Sequence, residues 1–176
     1  MLEELEAVEL LKSEALKDNA SFRFDAEYFK KAYLKIEESL HRKGFQYLTE
    51  YNPSITGGAT PLGAEYSTEG IPFLRVQNIM QNYFNDSDLA YITDKQNTEI
   101  LRSSLKKEDV LLTITGVSYG KSCIVTDQFV GSNINQHSVR IRTKKLNPYF
   151  LATFLNSFYG KSQSDKYVVG VTRPAL

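Results

Sequence analysis

An α+β domain is the fold class this sequence predicts, and three observations predict it. Apolar residues recur at helical spacing before Gly44. From Phe45 to Arg142, short runs rich in Val, Ile and Leu alternate with turns of Gly, Asn and Asp. After Asn147 a helical stripe returns. The chain of 176 residues is long enough for one domain with an appendage and a sizeable core.

In chain order, residues 2, 5, 8, 11 and 15 or 16 are apolar, which predicts a helix from Leu2 to about Lys17 with Glu in its first turns. Residues 18–21 break it. Asp25 is the expected N-cap of a second helix through Lys43, with Tyr28, Phe29, Tyr33, Ile36 and Leu40 as its stripe and Gly44 closing it. Both helices read as a seam toward a neighbouring region. The division is therefore 1–43, a helical arm, and 44–176, the main domain. Within the latter, residues 57–63 form a glycine-rich loop and residues 71–76 a short strand ending in Gln77 and Asn78. Thr93 or Asp94 caps a helix that buries Ile100, Leu101 and Leu105, and Val110–Thr115 is a strand. In Ser138–Arg142, Val139 and Ile141 face one side while Arg140 and Arg142 face the other, so the arginine face is expected to be wet or to bind a ligand. Asn147 with Pro148 starts a last helix, buried through Leu151, Phe154, Leu155 and Phe158 and ended by Gly160. The tail from Tyr167 is a polar loop.

The segment Leu111–Arg142 carries most of the functional information. Gly116 to Ser122 reads G-x-x-x-G-K-S, one residue short of a phosphate-binding P-loop. A P-loop also requires a helix to begin at the Lys, so that free N–H groups face the phosphates. Here Cys123-Ile124-Val125-Thr126 follows, and its β-branched residues favour a strand. The expectation is a β-hairpin with a glycine-bearing turn and no nucleotide hydrolysis.

Other catalytic signatures are scarce. His41 and His137 have no partner at ligand spacing, so no metal site is expected. Asn147-Pro148-Tyr149-Phe150 is similar to the Asn-Pro-Pro-Tyr/Phe loop of N6-adenine methyltransferases but lacks the second Pro. No glycine loop for S-adenosylmethionine follows a strand, so no cofactor is expected. Cys123 reads as a small buried apolar residue. No apolar run reaches the ~18 residues of a membrane span, and the acidic N-terminus is unlike a signal peptide, so a cytoplasmic protein without membrane contact is expected.

Net charge is zero but unevenly spread. Residues 1–70 hold 8 Lys+Arg against 13 Asp+Glu, residues 71–176 hold 13 against 8, and from Val110 onward the balance is 8 against 2. A neutral molecule can thus carry a phosphate-attracting face. Asn and Gln suit adenine edges, Arg suits guanine, and Lys or backbone N–H suits phosphate. Gln77, Asn78, Lys121, Asn133, Asn135, Gln136, Arg140 and Arg173 place such groups in or beside turns.

At these residues the chain resembles the target recognition domain of type I restriction-modification specificity (S) subunits, or the related domain of a single-chain type IIG enzyme. The pieces are GGATP at 57–61, GIPFLRVQNI at 70–79, LKKEDVLLTITGVSYGKSCIV at 105–125, NINQHSVRIR at 133–142, NPYFLATFLNS at 147–157 and GVTRPAL at 170–176. RFDAEYFKKAY at 23–33 resembles the usual lead-in. The resemblance covers residues 22–176. It implies an α+β fold with a strongly bent, partly barrel-like β-sheet flanked by helices. It further implies a non-catalytic module that reads one half of a bipartite double-stranded DNA target. Adenine methylation and cleavage then belong to methyltransferase (M) and restriction (R) subunits or fused equivalents. DNA contacts are expected from Arg75, Gln77, Asn78, Ser118, Tyr119, Lys121, Asn135, Gln136, His137 and Arg173. The alternatives are a catalytic methyltransferase fragment and a protein-interaction module.

Overall fold

The computed structural model describes residues 7–17, 19, 21–63, 65–170 and 174–176. Two helices open it, α1 (Lys12–Leu16) and α2 (Lys31–Lys43). The strands β1 (Ser54–Gly57), β2 (Ile71–Leu74), β3 (Ala90–Ile92), β4 (Val110–Thr113), β5 (Ser122–Ile124), β6 (Asn133–Ile134) and β7 (Ser138–Arg142) follow, with α3 (Asp94–Glu99) after β3. The chain then forms α4 (Pro148–Asn156) and α5 (Phe158–Tyr167). The α+β expectation holds, with the strands divided between two open sheets. One is antiparallel, in the order β1-β7-β4-β5. The other, β3-β2-β6, pairs β2 antiparallel to β3 and parallel to β6.

Period-two alternation sorts the residues of the larger sheet between two cores. Leu111 and Cys123, paired in register, point with Leu74, Ile79, Leu105, Val125, Phe129 and Ile134 into the core between the sheets. Val110 and Ile141, also in register, pack under Leu151 and Ala152 of α4. Phe73, Ala90, Ile92 and Ile100 fill the space beyond the smaller sheet. Each such large side chain stabilises the fold by about 1.5–3 kcal/mol on burial. The free edge of β5 is closed by a side chain acting as a peptide group: Ser122 N donates to Asn156 Oδ1 at 2.9 Å, and Asn156 Nδ2 donates to Ser122 O at 2.7 Å. That closure blunts an otherwise exposed sheet edge.

Several local expectations are corrected. Residues 2–6 lie outside the described residues, and 7–11 are not helical, so the first helix is reduced to Lys12–Leu16. None of its residues is buried, and a short helix without a buried face lacks the packing that sustains helical structure. Asp25 caps a turn: its carboxylate binds Arg23 at 2.6 Å and accepts from Tyr28 N at 3.1 Å, and α2 starts six residues later. Tyr28 leaves the helix stripe to be buried beside Tyr167 and Lys166, with the Lys166 Nζ 4.1 Å from its ring centroid and an ion pair from Lys166 to Glu37. Thr93 caps α3 as expected, but the turn after it tightens to a 3₁₀ form that rotates Leu101 out to 61% exposure. Phe158 is likewise exposed, because α4 stops at Asn156 and α5 begins there. Gly160 lies inside α5, where it packs against the end of α4: an added Cβ would sit 2.2 Å from Phe154 O. Arg140 is 6% exposed, so the arginine face of β7 is dry at Arg140, which points into the inter-sheet core opposite Leu111, and partly wet at Arg142. The tail forms bridges, Thr115 to Ala175 and Val169 to Ala175.

Candidate nucleic-acid interface

Parallel pairing of β2 with β6 decides where the polar turns meet. With Phe73 opposite Asn133 and Leu74 opposite Ile134, the segments leaving both strands emerge at the same end of the sheet. Arg75–Asn78 and Asn135–His137 are therefore neighbours, linked by Asn135 N donating to Leu74 O at 3.1 Å. The glycine-rich loop joins them: Gly58 N donates to Ser138 O at 3.0 Å and Ala59 N to Ile134 O at 2.9 Å. Gly58 permits this approach, because a Cβ there would lie 2.1 Å from Asn135 O. The loop brings Thr60 Oγ1 into a hydrogen bond with Gln136 Oε1, both residues being exposed.

The β4–β5 hairpin closes the cluster. Gly116 and Gly120 take φ of 76° and 78°, the left-handed region that glycine enters without strain. Because β5 follows the loop, the P-loop is excluded by geometry. Ile114 N donates to His137 O at 2.9 Å, while Thr115 Oγ1 and His137 Nδ1 share a hydrogen bond of 2.6 Å. The tail locks the same hairpin, with Gly116 N donating to Pro174 O and Leu176 N to Ile114 O, each at 2.9 Å.

The expected contact residues are not equally free. Gln136 is exposed and His137 half-buried, while Asn135 is buried and its Oδ1 accepts from His137 N at 3.3 Å. Lys121 is half-buried, with its Nζ 3.4 Å from Met80 Sδ and, among the described residues, no carboxylate partner. Ser118 is half-buried, and its carbonyl accepts from Thr113 Oγ1 at 2.5 Å. Tyr119 turns toward α5: its hydroxyl donates to Asp165 at 2.7 Å and Lys161 Nζ lies 3.8 Å from its ring centroid. Burial and then the bond to Asp165 push its pKa up to about 12. Arg75 is held by Asp88 at 2.9 Å and lies 5.5 Å from the Tyr66 ring centroid, and Gln77 Nε2 donates to the same carboxylate at 3.0 Å. Asn78 is 1% exposed and spends its amide inside: Oδ1 accepts from Arg75 N at 2.9 Å, and Nδ2 donates to Asn85 O and Asp88 O. Arg173 lies outside the described residues. Sequence reasoning missed Thr60, Thr115, Lys161 and Asp165 as partners of this cluster. Only the glycines on either side of the loops signalled close approach.

Among the described residues no group of His, Cys, Asp and Glu could hold a metal ion, and no helix is long and apolar enough to cross a membrane. Burial drives the Cys123 thiol pKa well up, in line with a packing role.

No protein-family model matches the chain, and no curated protein does. Among solved structures, the crystal structure of the HsdS subunit from Thermoanaerobacter tengcongensis is similar with a TM-score of 0.53 at 15% identity, over 82% of this chain and 40% of that one. A structure from work on complex assembly and conformational transition of the type I R-M system matches over 74% of this chain and 35% of its own, with a TM-score of 0.49 and 14% identity. The type I restriction-modification S subunit from M. genitalium gives 0.44 and 12%, over 70% of this chain and 28% of its own. The chain thus spans about 40% of the length of the HsdS subunit with which it shares its fold, and that fold is the one its sequence motifs implied.

Proposed function

We propose that this chain is a sequence-specific double-stranded DNA recognition module of a restriction-modification system. In this reading it recognises one half of a bipartite target and directs adenine methylation and cleavage by M and R subunits or fused equivalents. Residues 44–176 form the recognition unit, residues 1–43 the arm toward those partners, and the protein works in the cytoplasm without catalysing a reaction itself. The observation that carries the reading is the convergence of residues 57–61, 75–78, 114–121 and 135–137 at one end of an HsdS-like fold. Exposed amides and an unneutralised lysine lie there together, the mixture that base and phosphate recognition require. Lys121 positions phosphate and Gln136 reads a base edge. Arg75, Gln77, Ser118, Tyr119, Asn135, His137 and Arg173 contribute contacts around them, and Asn78 supports the Arg75 turn from within.

A half-site offers few phosphates, so binding of the chain alone is weak and strongly salt-dependent. Duplex binding in about 50 mM salt that is largely lost by about 200 mM is the expected titration. Lys121→Ala weakens all sequences alike and reduces the salt slope by about one unit. Gln136→Ala relaxes preference at one base pair by about 1–3 kcal/mol. Folded protein that binds no duplex at low salt would end the proposal, and a uniform loss for Gln136→Ala across a randomised library would end the role given to that residue.

A further inference from the structure

Among the described residues, Arg140 is a buried cation that the fold leaves without an ion pair. Its register partners, Thr56 on β1 and Leu111 on β4, place it on the face of the larger sheet that looks into the inter-sheet core. It is 6% exposed. Other ion pairs are closed: Arg23 to Asp25, Arg75 to Asp88, Arg142 to Asp109, and Lys166 to Glu37. Arg140 Nη2 instead donates to a neutral oxygen, Thr56 Oγ1, at 2.7 Å, and its buried Nε has no partner among the described residues. Two residues earlier on the same face, Ser138 Oγ is also buried and unpartnered. Asp109 acts on Arg140 only as a neighbouring charge, because Arg142 holds both its oxygens at 2.6 and 2.7 Å. An uncompensated buried guanidinium is among the most costly groups a fold can retain. Burial draws the Arg140 pKa below its ordinary value, the neighbouring Arg142 charge acts in the same direction, and the nearby Asp109 charge offsets only part of this. A bound anion would oppose both effects.

A second cation reaches the same stretch of β1. Arg102, exposed on the turn after α3, directs Nη1 to Gly57 O at 3.4 Å. The two guanidinium groups therefore end on adjacent residues, Thr56 and Gly57. Thr56 Oγ1, accepting from Arg140, keeps its own proton to donate. Planar guanidinium forks and a hydroxyl suit the oxygens of a phosphate. From Gly57 the chain enters the loop that sets Thr60 against Gln136. A phosphate held here would lie beside a base-reading residue, the arrangement in which backbone contacts fix register for base contacts.

We propose that the seam between β1 and the Leu101–Ser103 turn is an anion seat, built on Arg140 and Arg102, that takes a phosphodiester group of the DNA backbone. This inference rests on the DNA-recognition reading. The test is a salt-dependent duplex titration of the wild type, Arg140→Met and Arg102→Ala, with thermal melts of all three. Arg140→Met should melt no lower than the wild type, since it replaces an unpaired ion with an apolar chain of similar length. It should nevertheless bind every duplex more weakly, with a salt slope shallower by about one unit. Arg102→Ala should reproduce the shallower slope without touching the core. A single neutral methylphosphonate, moved along the half-site, should weaken the wild type at one position where Arg140→Met is indifferent. Wild type that binds duplex while both variants keep its affinity and slope overturns the seat alone. Wild type that binds no duplex at low salt removes the recognition reading itself. Arg140→Met that melts lower yet binds normally makes Arg140 a structural residue and overturns the seat. Tight stoichiometric binding of inorganic phosphate, with both variants unaltered on DNA, assigns a free ion and overturns the DNA backbone as its ligand.

Discussion

Gly57 and Gly58 are neighbours in sequence, yet alanine should have opposite consequences at the two positions. A Cβ on Gly58 would lie 2.1 Å from Asn135 O, 2.5 Å from Ile134 O and 2.6 Å from Asn135 C, all backbone atoms that cannot step aside as a side chain can. A Cβ on Gly57 meets nothing within 4 Å. Gly58→Ala must lift the loop off β6, stretching the bonds from Gly58 N to Ser138 O at 3.0 Å and from Ala59 N to Ile134 O at 2.9 Å. Two backbone hydrogen bonds are worth about 1 kcal/mol each, and overpacking adds about 1–3 kcal/mol. Outward movement of an exposed loop relieves part of the strain, which leaves a loss of about 2–4 kcal/mol. For a chain of this length that is a Tm lowered by about 5–10 °C. Gly57→Ala should stay within about 0.5 kcal/mol of the wild type. Urea denaturation followed by circular dichroism measures both, and duplex titration of Gly58→Ala reports whether displacing Thr60 from Gln136 relaxes base preference. Equal stability of the two variants would refute the packing of this loop against β6, and with it the composite site.

Other perturbations test separate parts of the structure. Asp109→Ala leaves Arg142 without the carboxylate that holds it at 2.6 Å and deprives Lys106 N of its 2.7 Å acceptor. Denaturant melts should show a loss of about 3 kcal/mol, the low end for a broken buried pair because Arg142 is partly wet. Gly160→Ala gains helix propensity but drives a Cβ to 2.2 Å from Phe154 O, so calorimetric scans should show a net loss of about 1–2 kcal/mol. Tyr119 has a folded pKa of about 12 against an ordinary 10.0. Its neutral form is therefore favoured by folding, and the stabilisation is whole below pH 10 and lost as pH rises toward 12. Tyr28, shifted up by burial, acts in the same direction. Stability measured across that window should fall less steeply in Tyr119→Phe. Calorimetry with ATP–Mg and with S-adenosylmethionine should register no binding; micromolar stoichiometric binding of either would favour the catalytic rival.

The fold was legible where local chemistry and tertiary packing agree. Thr93 and Asn147 carry capping side chains, and each starts its helix as read. The hairpin at Gly116–Ser122 was legible because β-branched residues after Lys121 contradict the helix a P-loop requires. Errors cluster where packing overrides periodicity. Leu101 has helical spacing from the residues before it, but the chain tightens after Glu99 and turns it outward. Asp25 is a good capping residue that caps only a turn, because Arg23 holds it and Tyr28 is drawn toward α5. No periodic pattern encodes those long-range contacts.

The candidate site was half legible for a related reason. Composition placed amides and lysines in turns, but turns carry such residues for backbone geometry as readily as for binding. What distinguishes Gln136 from Asn78 is where each amide goes. Asn78 spends its groups on Arg75, Asn85 and Asp88 in a buried turn. Gln136 remains exposed, and its side chain bonds Thr60 across the loop. That difference depends on the parallel β2–β6 pairing and on Gly58, two long-range features separated in sequence from the residues they sort. Arg140 makes the converse case: alternation correctly placed it opposite Ile141, yet which face of the sheet is wet depends on the second sheet. Alternation along a strand assigns residues to faces, and only the packing of the sheets decides which face must carry an unpaired charge.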